Sequence, residues 1–381
     1  MNTWGERIKL SIFGESHGPA IGIVIDGLPA GLVIDDEYIS RMMARRAPGR
    51  DELSTPRKEA DEPRIISGLV DGVTTGAPLC CVIGNTDVRP GDYDTALRPG
   101  HADWTMILKY GGFADRSGGG HFSGRLTAPI VFAGAIAKQI LEETGIYVCG
   151  RIKSIGGRED NIDLTVATGS GALAGQAGLT EPAPGGDHIC EHYEDLLRVI
   201  SEKDFPADDQ VCEDYKSMIL SAKSSGDSIG GAVEVVAFGE IGGFGEPFFG
   251  SVESRLASLL FSVPAVKAVE FGKGVGFGHM NGSDANDPLR MRGGRIVSVT
   301  NNNGGVLGGI ATGMPLIVRA TIKPTASIAI PQETVDPVAM RDTIITVGGR
   351  HDPCIVPRAV PVIEACVAIC LLDLMLCDRN N

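Results

Sequence analysis

The chain has 381 residues, 43% of them hydrophobic, with a formal net charge of −14 and a pI near 5.0. That length holds one large domain or two to three average ones with a substantial core, and the acidity argues against a nucleic-acid surface or an anionic membrane as partner. Nine cysteines form no C-x-x-C pair and the N-terminus has no signal-peptide pattern, so buried free thiols in a reducing, cytoplasmic compartment are expected and a zinc site is not.

In chain order, Lys9–Phe13 and Ile21–Ile25 read as strands around the turn Gly14-Glu15-Ser16-His17-Gly18-Pro19. Asp35 caps a short amphipathic helix that ends at Arg46, ahead of Pro48. Seven cations (Arg41, Arg45, Arg46, Arg50, Arg57, Lys58, Arg64) stand out in this acidic chain. A solvated, salt-bridged helix and loop explains them as well as an anion site does. Leu79–Ile83 is a strand, and Ser123 caps a long apolar helix that stops at Gly145. Further helices are expected near Tyr193–Glu202, Glu213–Lys223, Val252–Phe261 and Arg358–Leu376. Further strands are expected at Val233–Phe238, Ala265–Phe271, Arg295–Val299 and Leu316–Ile322, with Gly156–Gly186 and Asp204–Asp209 as loops. Ala359–Cys377 is apolar enough to raise the membrane question, but Pro361, Glu364 and Asp373 favour a buried or subunit-interface helix. The 52 glycines, about twice the usual share, are scattered between strand-like runs, which suits tight turns rather than disorder.

One internal match organises these elements. Gly68–Leu79 aligns with Gly305–Leu316 at a constant offset of 237, with six of twelve positions identical. Each copy feeds a strand, and about 45 residues later an arginine, Arg125 or Arg358, opens a long apolar helix. We read this as an α+β chain of duplicated halves, residues 1–150 and 225–381, joined by a decorated middle segment within one domain, 1–381. Long apolar helices after sheets in both halves imply helices layered between two sheets about a pseudo-two-fold axis.

The chemistry concentrates in Arg98-Pro-Gly-His101-Ala-Asp103 and Arg116-Ser-Gly-Gly-Gly-His121-Phe122-Ser123-Gly-Arg125. Histidine exchanges a proton near neutral pH, arginine grips phosphate and carboxylate, and glycine lets backbone amides approach an anion. His17, in a glycine-flanked turn, is either an oriented proton donor or a structural residue. His101 sits three residues from Arg98 behind a fixed turn. His121 is the weaker candidate, because a lone glycine run is unspecific. His188, His192 and His279 sit in polar loop contexts and read as surface residues. In Gly348-Gly-Arg350-His351-Asp352-Pro353 the proline holds Asp352 extended beside Arg350. The carboxylate serves there either as a base or as half of a salt bridge that only stabilises a turn. No dinucleotide fingerprint, Walker A loop, G-x-S-x-G or H-E-x-x-H occurs, so a phosphate site must be built from arginines and loop amides. The residues alone point to acid–base chemistry on a small phosphorylated or carboxylated molecule, without naming the reaction.

The set Gly14–Pro19, Arg98–Asp103, Gly118–Arg125, Asn303–Gly309, Lys323–Ile328 and Gly349–Cys354, in this order along nearly the whole chain, closely resembles chorismate synthases. The resemblance implies a shikimate-pathway lyase that converts 5-enolpyruvylshikimate 3-phosphate to chorismate and phosphate by 1,4-anti elimination. It further implies reduced FMN as cofactor, a β-α-β sandwich and a homotetramer. By position, His17 resembles the acid that assists phosphate departure, His101 the one that protonates reduced flavin, and Asp352 the base. Ser16, Arg46, Arg50, Arg98, Arg125 and Arg350 would bind substrate, with Arg350 also near flavin. His121, Phe122, Ser123, Pro264, Ala265, Gly308, Lys323, Pro324, Thr325, Ala326 and Ser327 would line the flavin. Two departures stand out: His121-Phe122-Ser123 where many relatives have Arg-Ser-Ser, and Glu52 near a second substrate-side arginine that Arg50 or Arg57 would replace. The loop Glu181–His192 reads as lineage-specific decoration. An external flavin reductase, with NADPH as indirect reductant, is expected to supply the reduced cofactor. The competing readings are a flavin oxidoreductase acting on an anionic substrate and a non-catalytic flavin- or phosphate-binding scaffold.

Overall fold

The computed structural model describes residues 2–49, 52–55, 59, 61–86, 95–165, 200, 203, 205–292, 294–348 and 351–378. The first sheet joins β1 (Thr3–Trp4), β2 (Lys9–Gly14), β3 (Ala20–Asp26), β4 (Pro63–Ser67) and β7 (Leu79–Gly84) in the order β1-β2-β3-β7-β4, every pair antiparallel. Between β4 and β7 stands a small hairpin, β5 (Leu69–Val70) and β6 (Val73–Thr74). The second sheet, also antiparallel, joins β8 (Tyr147–Ile155), β9 (Arg158–Glu159), β10 (Gly231–Phe238), β11 (Val266–Phe271) and β16 (Leu316–Ile322) in the order β11-β16-β10-β8-β9. Three further hairpins stand apart: β12 (Leu289–Arg292) with β13 (Arg295–Ser298), β14 (Val306–Leu307) with β15 (Ile310–Ala311), and β17 (Gln332–Asp336) with β18 (Arg341–Ile345).

The two segments matched in sequence adopt the same backbone. Leu69 pairs with Thr74 and Val70 with Val73 in one; Val306 pairs with Ala311 and Leu307 with Ile310 in the other, the same register at offset 237. The Thr75 amide donates to Gly68 O at 3.0 Å, and the Thr312 amide to Gly305 O at 2.8 Å. Gly68 and Gly305 both have positive φ, 91° and 84°, and a Cβ on either would overlap the chain entering the next strand. Glycine is required at both for that reason.

Helices α1 (Asp36–Arg46), α2 (Asp103–Tyr110), α3 (Thr127–Glu143), α4 (Asp209–Ser224), α5 (Val252–Leu260) and α6 (Val356–Asp378) complete the core. Helices α3 and α6 are apolar on nearly every face and pack on one another. Helix α3 also meets β3 and β7, and α6 meets β8 and β10. Helix α6 is long and apolar enough to cross a bilayer by length and composition, yet 89% of its most apolar window is buried inside this chain. The helices touch where Gly134 faces Ala365: a Cβ at Gly134 would lie 2.2 Å from the Ala365 Cβ.

Ser123 caps a short 3₁₀ turn, Gly124–Leu126, that leads into α3 rather than capping α3 itself. Strand β8 was not anticipated because Arg151 and Lys153 interrupt its apolar pattern. Arg151 is nevertheless buried, its charge met by Asp160 and Glu234. The Tyr193–Glu202 helix lies almost wholly outside the described residues, and the Glu181–His192 loop with His188 and His192 lies entirely outside them.

Buried Glu364 on α6 accepts both guanidinium arms of Arg45 at 2.7 Å, Lys138 Nζ at 3.4 Å and the Gly150 amide at 2.8 Å. Burial alone would raise its pKa, but Arg45 and then Lys138 override this and hold it down at about 2. A depressed carboxylate stabilises the fold above its unfolded pKa and loses that contribution as pH falls through the folded value. Glu364→Gln is therefore expected to cost on the order of 3 kcal/mol at pH 7. Denaturant midpoints should converge with the parent's between pH 4.5 and about 2, the range set by the shifted carboxyl. Gly134→Ala is expected to lower stability by about 1–3 kcal/mol through overpacking, read by thermal melting.

Candidate active site

A cavity of about 1030 Å³ opens between the first sheet, the loop after α5 and the first turns of α3 and α6. It lies at the upper end of the roughly 300–1,000 Å³ usual for small-molecule sites, so it has room for more than one ligand. The N-terminal turns of two helices on its wall add partial positive charge.

The glycine run builds one wall. Gly118, Gly119 and Gly120 have φ of 61°, 83° and 52°, conformations that only glycine holds at low cost. The Gly120 carbonyl accepts the Ser16 amide at 3.1 Å, tying the run to the β2–β3 turn. His17 packs directly on it: a Cβ at Gly118 would lie 2.1 Å from the imidazole Cε1 and Nδ1. His101 flanks the next glycine, with Cε1 3.2 Å from a Cβ built at Gly119. The two imidazoles thus sit on adjacent glycines although 84 residues separate them in sequence.

Each described arginine in the cavity has a carboxylate partner. Arg46 Nη1 donates to Asp61 at 2.5 Å, Nε to Thr127 Oγ1 at 3.2 Å and Nη2 to Gly124 O at 3.0 Å. Arg125 also donates to Asp61, and further to Asn85 Oδ1 at 3.0 Å and Gly84 O at 3.2 Å, with Glu59 at 2.7 Å. Burial pulls Arg46 down to about 10, assisted by Arg358 and Arg125 and opposed by Asp61, which leaves it charged at neutral pH. Burial would raise Asp61, but the Arg46 and Arg125 charges overcome this and hold it below the ordinary carboxylate range. Arg98 forms a bidentate pair with Asp103 at 2.8 and 2.9 Å, and His101 Nδ1 lies 2.7 Å from the same carboxylate. Asp352 accepts from the Thr55 amide at 3.0 Å and from Arg358.

Most sequence-predicted positions meet here. His17, Arg46, Arg98, His101, Arg125 and Asp352 line the cavity, as do His121–Ser123, Pro264–Ala265 and Lys323–Ser327. Arg50 and Arg350 lie outside the described residues, as does Arg57. Among the described residues the cation beside Asp352 is Arg358, which the first turn of α6 brings back toward the chain before Pro353. Ser16 is fully buried and does not line the cavity; its hydroxyl accepts from Ser123 Oγ at 3.2 Å. Gly308 stands at the tip of the β14–β15 hairpin, also away from the lining. Glu52 turns its carbonyl to Lys223 Nζ at 2.6 Å, and His279 is exposed at the end of a 3₁₀ turn.

Sequence reasoning passed over Asp61 and Glu59, which look like surface acids in a charged loop, and Arg358, noticed only as a helix opener. It also passed over Asp103, two residues past His101, and over Lys267 and His351, both on the cavity wall. Burial lowers the pKa of His351, which bonds the Gly348 carbonyl at 3.1 Å. Burial and then Lys267 lower that of Lys323, which reaches the Gly100 carbonyl.

Residues 8–376 match the family model for chorismate synthase. The chorismate synthase of Thermococcus kodakarensis is 43% identical over 378 residues, 98% of each chain. That of Dehalococcoides mccartyi is 41% identical over 379 residues, 98% of this chain and 96% of the other. A crystal structure of a chorismate synthase aligns with a TM-score of 0.71 at 27% identity, covering 98% of this chain and 93% of that one. A match over nearly the whole length, joined to a cavity lined by arginines and imidazoles, leads to one conclusion: the chain belongs to the chorismate synthase family, the chorismate-forming lyases of the shikimate pathway.

Proposed function

We propose that the cavity holds 5-enolpyruvylshikimate 3-phosphate against Arg46, Arg98 and Arg125, with reduced FMN beside it. The observation that carries this reading is the convergence of Arg46, Arg98 and Arg125 with the His17 and His101 imidazoles and Asp352 on one cavity of about 1030 Å³. Arginine suits a substrate that carries a phosphate and two carboxylates, because its fork bonds each oxyanion bidentately. Arg50 and Arg350 join this set by resemblance.

The wall from His121 to Ser123, Pro264, Ala265 and Lys323 to Ser327 fits a flavin: it combines an aromatic ring and small apolar side chains with hydroxyls and the paired cations Lys267 and Lys323. When bound there, reduced FMN supplies transient electron donation that eases departure of phosphate with no net redox change. The remaining work falls to this chain. His17 gives a proton to the leaving phosphate oxygen as the C–O bond breaks and phosphate keeps the bonding pair. Asp352 accepts the ring proton, whose C–H pair becomes the new double bond. His101 keeps a proton on Nε2 at the flavin side. Arg358 and the Thr55 amide hold the Asp352 carboxylate in one orientation.

At the scale of the chain, we infer a β-α-β sandwich of duplicated halves about a pseudo-two-fold axis. The order strand pair, helix, strand, small hairpin, strand, long helix supports it: it runs as β2-β3-α1-β4-β7-α3 and again as β8-β10-α5-β11-β16-α6 once α2, β9, α4 and the β12–β13 and β17–β18 hairpins are set aside as insertions. We further infer a cytoplasmic homotetramer served by an external flavin reductase, with NADPH as indirect reductant. The exposed apolar side chains Leu289, Met291 and Ile296 on one hairpin are consistent with self-association.

Anaerobic incubation of the protein with the enolpyruvyl substrate and catalytic reduced FMN tests the reading. Phosphate release equal to substrate consumed, with flavin still reduced, is expected. Consumption of reductant one-for-one with product points to an oxidoreductase, and tight binding without turnover to a scaffold. His17→Ala and His101→Ala are each expected to slow turnover by roughly 10²- to 10⁴-fold, as loss of a general acid does, with flavin affinity largely kept. Parent rates in both variants overturn the assignments. Arg125→Ala is expected to raise KM more than it lowers kcat, read in the same phosphate assay.

A further inference from the structure

We propose that Asp103 is the positioning residue that holds the His101 proton donor and the Arg98 anion grip in one unit; the proposal rests on reading His101 as a proton donor. Asp103 is buried, and its two oxygens have four protein donors. Oδ2 accepts the Arg98 amide at 3.0 Å and Arg98 Nε at 2.9 Å; Oδ1 accepts Arg98 Nη2 at 2.8 Å and faces His101 Nδ1 at 2.7 Å. A carboxylate offers about four lone-pair sites, so Asp103 has no capacity left for a ligand or a travelling proton. It acts only through its neighbours.

A purely structural duty would be capping its own helix, since Asp103 is the first residue of α2. The helix shows no side-chain cap bond, and the capping position is Ala102. The carboxylate turns instead toward Arg98 and His101.

That geometry fixes the imidazole. An ionised carboxylate only accepts, so Nδ1 carries hydrogen in both charge states of His101. Nε2 is left as the nitrogen that gains and loses a proton, 3.3 Å from the position a Gly119 Cβ would take. The negative charge also stabilises the imidazolium. Among the described residues, the charged and titratable groups shown to act on His101 are Arg98 and Asp103 on its own segment and His351 beyond it; Lys323 reaches the adjoining Gly100 carbonyl. Among these described groups Asp103 is the anion, set against cationic or neutral neighbours.

Asp103→Asn is expected to lower kcat by roughly 10- to 10²-fold, less than removal of the acid itself. The alkaline limb of the pH–rate profile should move down by about one unit or more. Loosened Arg98 should raise KM as well. Asp103→Glu should recover part of the rate, and flavin affinity should stay within threefold. In a His101→Ala background the same change should leave kcat nearly untouched while KM still rises. A fixed alkaline limb in Asp103→Asn, or an equal kcat loss with and without His101, overturns the proposal. Parent activity in His101→Ala instead overturns the proton-donor reading beneath it. Should Asp103→Asn fail to fold, ¹⁵N-histidine spectra of the unaltered protein decide, with His101 assigned by its loss in His101→Ala. The Nδ1–H tautomer supports the proposal, and the Nε2–H tautomer overturns it.

Discussion

The close approach of α3 and α6 at Gly134 and Ala365 is the constraint on which the architecture turns. A glycine opposite an alanine brings two backbones together, and the surrounding apolar side chains then exclude water on all sides. Such helices have no polar face to offer solvent, so each must be covered by a sheet as well as by the other. The strands β3 and β7 cover one, β8 and β10 the other. The consequence for chemistry lies at the helix ends. Their first turns reach one cavity, carrying Arg125 just ahead of α3, and Asp352 and Arg358 around the start of α6.

That cavity presents an electrostatic problem that the fold solves with carboxylates. Several arginines gathered in a partly dry space repel one another and lose hydration. Asp61 answers by bonding both Arg46 and Arg125, Glu59 by a second contact to Arg125, Asp103 by the pair with Arg98, and Asp352 by the contact with Arg358. Buried ion pairs seldom add net stability over apolar packing. Their use here is geometric: each guanidinium is held by two or more bonds on fixed backbone or carboxylate oxygens, so an arriving anion meets cations already aimed. Asp61 holds φ at +52° to do this, a conformation uncommon for a non-glycine residue.

Much of the frame was legible because it rests on local rules. Short apolar runs marked β2, β3, β7 and β16, the Asp35 cap marked α1, and glycines at matching positions marked the two similar hairpins. What failed to show in sequence depended on partners far along the chain. Strand β8 carries Arg151 in its middle, which reads as a surface residue until Glu234 on the neighbouring strand and Asp160 supply its counter-charges. Helix α2 leaves Trp104, Leu108 and Tyr110 exposed, so no polar face distinguished it. At the site, the cations announced themselves through motifs, whereas their anions did not: Asp61 acquires meaning from Arg46 before it and from Arg125, 64 residues on. At Asp352 the contact comes from Arg358, delivered by a helical turn that residue spacing alone does not announce.

The glycine run Gly118–Gly120 gains most from the structure. In sequence it suggested amides bared to an anion. In three dimensions its first two members serve as seats for imidazole rings. A methyl group at Gly118 would fall inside the His17 ring, and one at Gly119 would press on the His101 ring. The left-handed conformation and the missing side chains are therefore two halves of one requirement: the backbone must turn sharply, and nothing can project where the rings lie. Both proposed proton donors are thus set by a surface defined by absence of side chains, while Asp103 grips one of them from behind. Catalytic geometry here comes from packing an imidazole between a carboxylate and bare backbone, which explains why histidines 84 residues apart come to face one cavity.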